Sequence, residues 1–164
     1  ERYTTGQVMI ETADRLVTEE GEPSLQQYQL LVGALHALTS GTSDGLRPPA
    51  MVMDAYLLRA IALAGYAPTL ADCARCGAAG PHEAFSPQLG GMVCRRCRPP
   101  GSAHPAPATV AYLAALLAGD WPATREVAEL TIRQGSGLVA AFVSWHLDRG
   151  LRSLSHVDRS RPVR

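Results

Sequence analysis

The feature that most constrains this chain is the spacing of its cysteines. All four lie in two Cys-x2-Cys pairs, Cys73 with Cys76 and Cys94 with Cys97, and residues 77–93 separate the pairs. A two-residue spacer lets both thiolates of one turn face the same metal ion, and two such turns complete a closed tetrahedron. The spacing therefore predicts one structural Zn²⁺ per chain, held by these four cysteines, with no coordination position left open for catalysis.

Three other interpretations of the cysteines compete with this one. A disulfide framework needs an oxidising compartment, for which nothing in the sequence speaks. A redox-active Cys-x2-Cys pair needs a strand and a helix around it, whereas these cysteines lie among glycines and prolines. His82 or His104 could also replace one cysteine as a ligand. We favour zinc over these alternatives, because four thiolates already complete the site.

Apolar residues recur at helical spacing on both sides of the cysteines. The pattern predicts six helices, over residues 5–18, 24–41, 49–65, 107–119, 121–135 and 138–147. The third is apolar nearly all round, so we expect it to be the most buried. Gly135 and Gly137 are expected to separate the last two helices, because glycine is a poor helix former.

The cysteine region itself lacks helical periodicity. Residues 83–93 predict a short β-hairpin, with Gly90 and Gly91 as its turn and with Phe85 and Val93 facing a core. We therefore expect a mainly α chain, a helical bundle with an inserted four-cysteine, zinc-ribbon-like module that contains a short β-hairpin. The predicted division is residues 1–67, the first helical part; 68–106, the zinc-binding insertion; and 107–164, the second helical part.

The charge of the chain is balanced overall but unevenly distributed. Residues 1–70 hold four arginines and eight acidic residues, and residues 71–164 hold eleven and seven, so a neutral total divides into −4 and +4. The basic half predicts contact with nucleic acid, with ordinary solvated faces as an equal alternative. Arginines near the cysteines could instead neutralise the −2 charge of Zn²⁺ with four thiolates. The candidate DNA-binding residues are Arg75, Arg95, Arg96, Arg98, Arg149 and Arg152.

Several classes of protein are disfavoured. The most apolar stretch, residues 51–67, contains Asp54 and Arg59 and is too short for a membrane span. Nucleotide-binding loops, nucleophile elbows and metalloprotease motifs are missing from the sequence, so we expect no catalytic residues and no enzyme. The chain begins at Glu1 instead of methionine, and we expect it to be a fragment or a cleaved product.

Three motifs together resemble one family. They are Gly65-Tyr-x-Pro-x-Leu-x-x-Cys73, Phe85-Ser-x-x-x-Gly-Gly-x-Val-Cys94, and Leu151-Arg-Ser-Leu154. In combination they resemble the C-terminal helical and zinc-binding part of the bacterial recombination mediator family RecO, and the likeness spans essentially the whole chain. The resemblance implies that the four cysteines are zinc ligands, and that the OB-fold domain of the family lies upstream of residue 1.

The resemblance also implies partners and a cellular role. Members of this family bind single- and double-stranded DNA, promote strand annealing in DNA repair, and work with RecR to load RecA. They recognise the acidic C-terminal tail of single-stranded-DNA-binding protein (SSB) through an apolar pocket with basic edges, for which the sequence matches no positions. A cytoplasmic, nucleoid-associated protein without a membrane partner is implied. The alternative is a zinc-ribbon nucleic-acid or protein interaction module of another pathway.

Overall fold

The computed structural model describes residues 2–17 and 24–157, with side chains as far as Asp148. Within these residues the elements are helices and one antiparallel hairpin. In chain order they are α1 (Arg2–Leu16), α2 (Leu25–Ser40), α3 (Pro49–Leu63), β1 (Ala84–Ser86), β2 (Gly91–Val93), α4 (Pro107–Ala118) and α5 (Glu129–Val157). The prediction of a mainly helical chain with a short hairpin is confirmed.

Helix α3 forms the centre of the bundle and contacts α1, α2, α4 and α5. It begins with Pro49, whose fixed φ suits the first helical position. Apolar residues on nearly every side of α3 are almost completely buried, among them Val52, Tyr56 and Ile61, each 1% exposed. The uninterrupted apolar character of this segment is therefore explained by neighbours on all sides.

The expected break near Gly135 is wrong. Helix α5 runs without interruption from Glu129 to Val157, and only Pro122–Thr124 before it forms a separate 3₁₀ turn. Gly135 is buried where α4 crosses α5, and a Cβ atom added there would lie 2.7 Å from Cε1 of Tyr112. The glycine allows the two helices to approach closely, and their packing outweighs the low helix propensity of glycine.

The hairpin pairs Ala84 with Val93, Phe85 with Met92 and Ser86 with Gly91. Gly91 therefore lies in the second strand, and the turn expected at Gly90 and Gly91 is formed by residues 87–90. Gly91 has a φ of 145°, and a Cβ atom there would lie 2.1 Å from the carbonyl oxygen of Thr69. Close approach of the Thr69 backbone, which forms an isolated β-bridge with Gly91, explains this glycine.

Backbone hydrogen bonds connect the hairpin to the chain that enters and leaves it. The amide of Met92 donates to Thr69 O over 2.8 Å, and the amide of Phe85 donates to Ala103 O over 2.8 Å. Phe85 and Met92 belong to the same hydrophobic core as the helices, and the Phe85 ring lies 6.2 Å from the ring of Phe142 in α5. One face of the hairpin thus joins the main core, whereas Ala84 and Val93 pack in a second cluster with Cys73. The division into domains stays a prediction.

A carboxylic acid is buried in the middle of the bundle. Asp54 of α3 is 2% exposed, and it accepts a hydrogen bond from the hydroxyl of Ser136 in α5. Burial raises the pKa of Asp54 to about 6, although the Ser136 hydrogen bond acts in the opposite direction. Burial, followed by the charge of Asp54, also raises the pKa of Tyr112.

No described helix combines the length and apolarity that crossing a membrane requires.

Candidate metal centre and basic groove

The structure brings all four cysteines together. The Sγ atoms of Cys73, Cys76, Cys94 and Cys97 all lie within 4.8 Å of one another, and those of Cys76 and Cys94 are 3.8 Å apart. A tetrahedral ion with metal–sulfur bonds of about 2.3 Å requires S···S distances of about 3.8 Å. The cluster therefore has the donor atoms and the size of a four-thiolate metal site.

Tight turns place the two cysteines of each pair. In the first pair, Cys73 O accepts a hydrogen bond of 2.9 Å from the amide of Gly77, whose φ of 73° is one that glycine adopts without strain. In the second pair, Cys94 O accepts hydrogen bonds from the amides of Cys97 at 3.1 Å and Arg98 at 3.0 Å. Each turn directs both of its thiols into the space between the pairs.

The thiols influence one another's ionisation. Backbone amides, first that of Cys94 and then that of Cys76, lower the pKa of Cys73 to about 6, and the Cys94 amide lies 3.4 Å from its sulfur. The Cys94 sulfur, followed by burial, raises the pKa of Cys97 to about 12. Four adjacent thiolates repel one another unless a cation lies between them, so the donor set fits a thiophilic divalent metal.

Four of the predicted DNA-binding arginines line one groove beside the cysteines. Arg75, Arg95, Arg96 and Arg98 are all exposed and border a groove of about 740 Å³ together with Cys76, Cys94 and Cys97. Its one acidic lining residue is Glu83, whose Oε2 lies 3.5 Å from Nη2 of Arg95. Both side chains of this pair are well exposed, so water screens their attraction. We call this surface the arginine groove.

The other two predicted DNA-binding residues, Arg149 and Arg152, lie in the last turns of α5. The backbone of the helix is described there, and their side chains lie outside the described residues.

A second groove lies between α2 and α3, and the sequence did not indicate it. Its volume is about 720 Å³, and its walls include Leu30, Ala34, Tyr56, Leu117 and Trp121, together with Arg59. Arg59 is the one cation of α3. A single arginine in a helix whose one other charged residue is the buried Asp54 is the signal that could have located this surface, which we call the α2–α3 groove.

An ion-pair network fixes one end of the α2–α3 groove. Arg47 donates from Nη2 to Asp44 Oδ2 at 2.5 Å and to the Trp121 carbonyl at 2.8 Å. Arg125 donates to both carboxylate oxygens of Asp44, from Nε at 2.7 Å and from Nη2. The hydrogen bond from Arg125 is the main cause that lowers the pKa of Asp44 to about 2. Asp44 therefore stays ionised above that pH and ties the α2–α3 loop to Arg125, while Arg47 ties the same loop to the Trp121 backbone.

The fold and the site together define a class: a mainly helical protein with a short β-hairpin and a cluster of four cysteines that could hold a metal ion. Comparison with known families shows which family within that class this chain belongs to. Residues 1–155 match the family model described as "Recombination protein O C terminal", and the chain belongs to the RecO family. The resemblance carried by the three motifs is thereby confirmed.

Relatives in several bacteria are named DNA repair protein RecO. Those of Cutibacterium acnes (strain DSM 16379 / KPA171202) and Nocardioides sp. (strain ATCC BAA-499 / JS614) are 59% and 55% identical to this chain, over 96% and 97% of its length. The protein of Thermobifida fusca (strain YX) is 51% identical over 97% of the chain. The chain spans 64–65% of the length of these three relatives.

Proposed function

We propose that this chain is the C-terminal part of a mediator of DNA repair and homologous recombination that acts by binding and has no enzymatic step. In the bacterial cytoplasm, at the nucleoid, it binds single- and double-stranded DNA and SSB, promotes strand annealing, and works with RecR to load RecA. The observation that carries the proposal is the RecO family match over residues 1–155. The arginine groove supplies a surface of the right charge for DNA.

The metal in this proposal is Zn²⁺, bound by Cys73, Cys76, Cys94 and Cys97. Thiolate donors in a closed tetrahedral cluster suit zinc, and the 3.8 Å separation of Cys76 and Cys94 Sγ fits such a site. When bound, the ion would offset half of the thiolate charge, leave a net charge of −2, and hold the two turns together. Elemental analysis of the purified chain should give one zinc per chain, and a chain without bound metal that keeps its fold would contradict the assignment.

The arginine groove is proposed to contact DNA phosphates. One guanidinium group can bind two phosphate oxygens at once. Because neutralising phosphates releases their counterions, the affinity for DNA falls as the salt concentration rises. Changing Arg75, Arg95, Arg96 and Arg98 together to glutamine should lower the affinity for duplex DNA. The slope of log K against log salt should become shallower by about 0.9 for each phosphate that the variant no longer neutralises.

The matched control for this experiment is Arg133→Gln. Arg133 is also exposed, and its ion pair with Glu129, at 3.9 Å on α5, is weak. Its change should leave both affinity and salt slope as they are. Equal affinities and slopes for the groove variant and the native chain would remove the arginine groove from the proposal.

The SSB tail is proposed to bind in the α2–α3 groove. The apolar walls can receive an aromatic side chain at the end of the tail, and Arg59 can pair with its acidic groups. Fluorescence anisotropy with a labelled tail peptide should show at least roughly tenfold weaker binding for Arg59→Ala, the effect of removing one charge-assisted pair. Arg133→Ala is again the control. Unchanged peptide affinity in Arg59→Ala would place the tail elsewhere.

The whole activity is tested by annealing complementary strands coated with SSB, with full-length protein and with residues 1–164. We expect the full-length protein to anneal them, because a strand-binding OB-fold upstream adds DNA affinity. The shorter chain should bind the SSB tail and anneal poorly. Failure of the full-length protein both to anneal and to bind SSB would refute the proposed function.

A further inference from the structure

Three aromatic rings form a column that leads from the core to the surface. Phe142 of α5 is 1% exposed, and its ring centroid lies 4.4 Å from that of His146, one turn further along the helix. The His146 ring lies 5.0 Å from the ring of Tyr66, with 32° between the two planes. Tyr66 is 51% exposed, so the column ends in an aromatic ring that is open to solvent.

The local backbone fixes the position of Tyr66. Its amide donates to Ile61 O over 3.0 Å, directly after Gly65, whose φ of 98° ends helix α3. Tyr3 and Tyr28 are more exposed, at 78% and 66%, but within the described part of the chain neither contacts another ring. A ring that is already held loses less conformational freedom when a flat ligand stacks on it.

Positive charge follows the ring column in the sequence. Arg149 and Arg152 come three and six positions after His146 in the continuous helix α5. An aromatic face near cationic residues is the combination with which proteins bind single-stranded nucleic acid, because unpaired bases have exposed faces. In a duplex those faces are already stacked on neighbouring bases, so a duplex cannot use such a site without unstacking.

We infer that Tyr66, supported by His146, stacks on an unpaired base of single-stranded DNA. This inference rests on the proposed DNA binding and adds a second contact, separate from the arginine groove. The arginine groove binds phosphates of single and double strands alike, whereas Tyr66 gives the chain a preference for single strands.

The test measures binding of residues 1–164 to a single-stranded oligonucleotide that contains 2-aminopurine, and to a duplex. Tyr66→Leu should weaken single-strand binding about 5- to 150-fold, the range for loss of one stacked base, and should abolish quenching of 2-aminopurine. Duplex affinity should stay nearly unchanged. Tyr66→Phe and Tyr66→Trp keep a ring and should retain both binding and quenching. Tyr28→Leu removes another exposed tyrosine and serves as the matched control.

The possible results separate this inference from the proposed function. If the fourfold variant of the arginine groove loses affinity for single and double strands, and Tyr66→Leu keeps its affinity for both, the stacking contact is refuted and the proposed DNA binding stands. If Tyr66→Leu weakens both forms equally, or if Tyr66→Phe fails as well, Tyr66 acts through the fold and the inference is overturned. If the native chain and the full-length protein bind no DNA, both the proposed function and the stacking contact fail.

Discussion

Replacing Asp54 by asparagine should stabilise this protein at neutral pH. Asp54 is 2% exposed, and no described basic side chain forms an ion pair with it; the hydroxyl of Ser136 is its hydrogen-bond donor. Ionising a carboxyl group in such surroundings is unfavourable, because burial removes the water that would solvate the charge. Asparagine keeps an oxygen that accepts from Ser136 and has no charge to bury.

The size of the effect follows from the pKa. Burial raises the pKa of Asp54 from 3.8 to about 6, and roughly two pKa units correspond to about 3 kcal/mol. The folded state holds this proton more tightly than the unfolded chain. The contribution of Asp54 to the stability of the folded protein is therefore fully present below about pH 4, where its carboxyl group is protonated, and is lost as pH rises through about 6. At about pH 7.5 Asp54→Asn should raise the free energy of unfolding by up to about 3 kcal/mol, which corresponds to about 6–12 °C in Tm for a domain of this size.

The assay is urea unfolding of native protein and variant from acidic to mildly basic pH, followed by tryptophan fluorescence. Protonation of the cysteines at low pH affects both proteins, so the difference between their free energies of unfolding isolates Asp54. Exposed Asp14 on α1 provides the control, and Asp14→Asn should leave the free energy of unfolding nearly unchanged, because an exposed side chain buries no charge on folding. A variant that is less stable at mildly basic pH, or a stability difference that does not change with pH, would refute the reasoning.

Two further predictions concern the glycines of α5 and the metal site. Gly135→Ala should lower the free energy of unfolding by about 1–3 kcal/mol, because its Cβ would lie 2.7 Å from Tyr112 Cε1. A Cβ atom at Gly137 would lie more than 4 Å from every atom beyond the adjacent backbone of its own helix, so Gly137→Ala should raise the free energy of unfolding by about 0.5–1 kcal/mol. Thermal unfolding of the two variants measures both effects, and equal changes in Gly135→Ala and Gly137→Ala would contradict the packing account. Cys97→Ser should reduce bound zinc and also lower the Tm of the helices followed by circular dichroism, since Phe85 and Met92 join the helical core. Loss of zinc with an unchanged helical Tm would show that the module folds separately.

The sequence by itself determined the features that depend on short-range spacing. Two residues between cysteines suffice to form each turn, so the spacing of Cys73 with Cys76 and of Cys94 with Cys97 was enough to indicate the cluster of four thiols. The periodicity of apolar residues likewise indicated α3 and α4, because a helix presents the same face every three to four residues. The three family motifs are also strings of neighbouring residues, and the RecO family that they indicated is the one that the chain matches.

Tertiary structure alone decided what depends on contacts between distant residues. Glycine at position 135 predicts a helix break locally, but Tyr112 from another helix packs against it and α5 continues. The α2–α3 groove needs Leu30, Arg59 and Trp121 side by side, and the ring column needs Tyr66 against His146. The distances in sequence between such residues follow no regular repeat, because the packing of whole helices against one another brings these residues together.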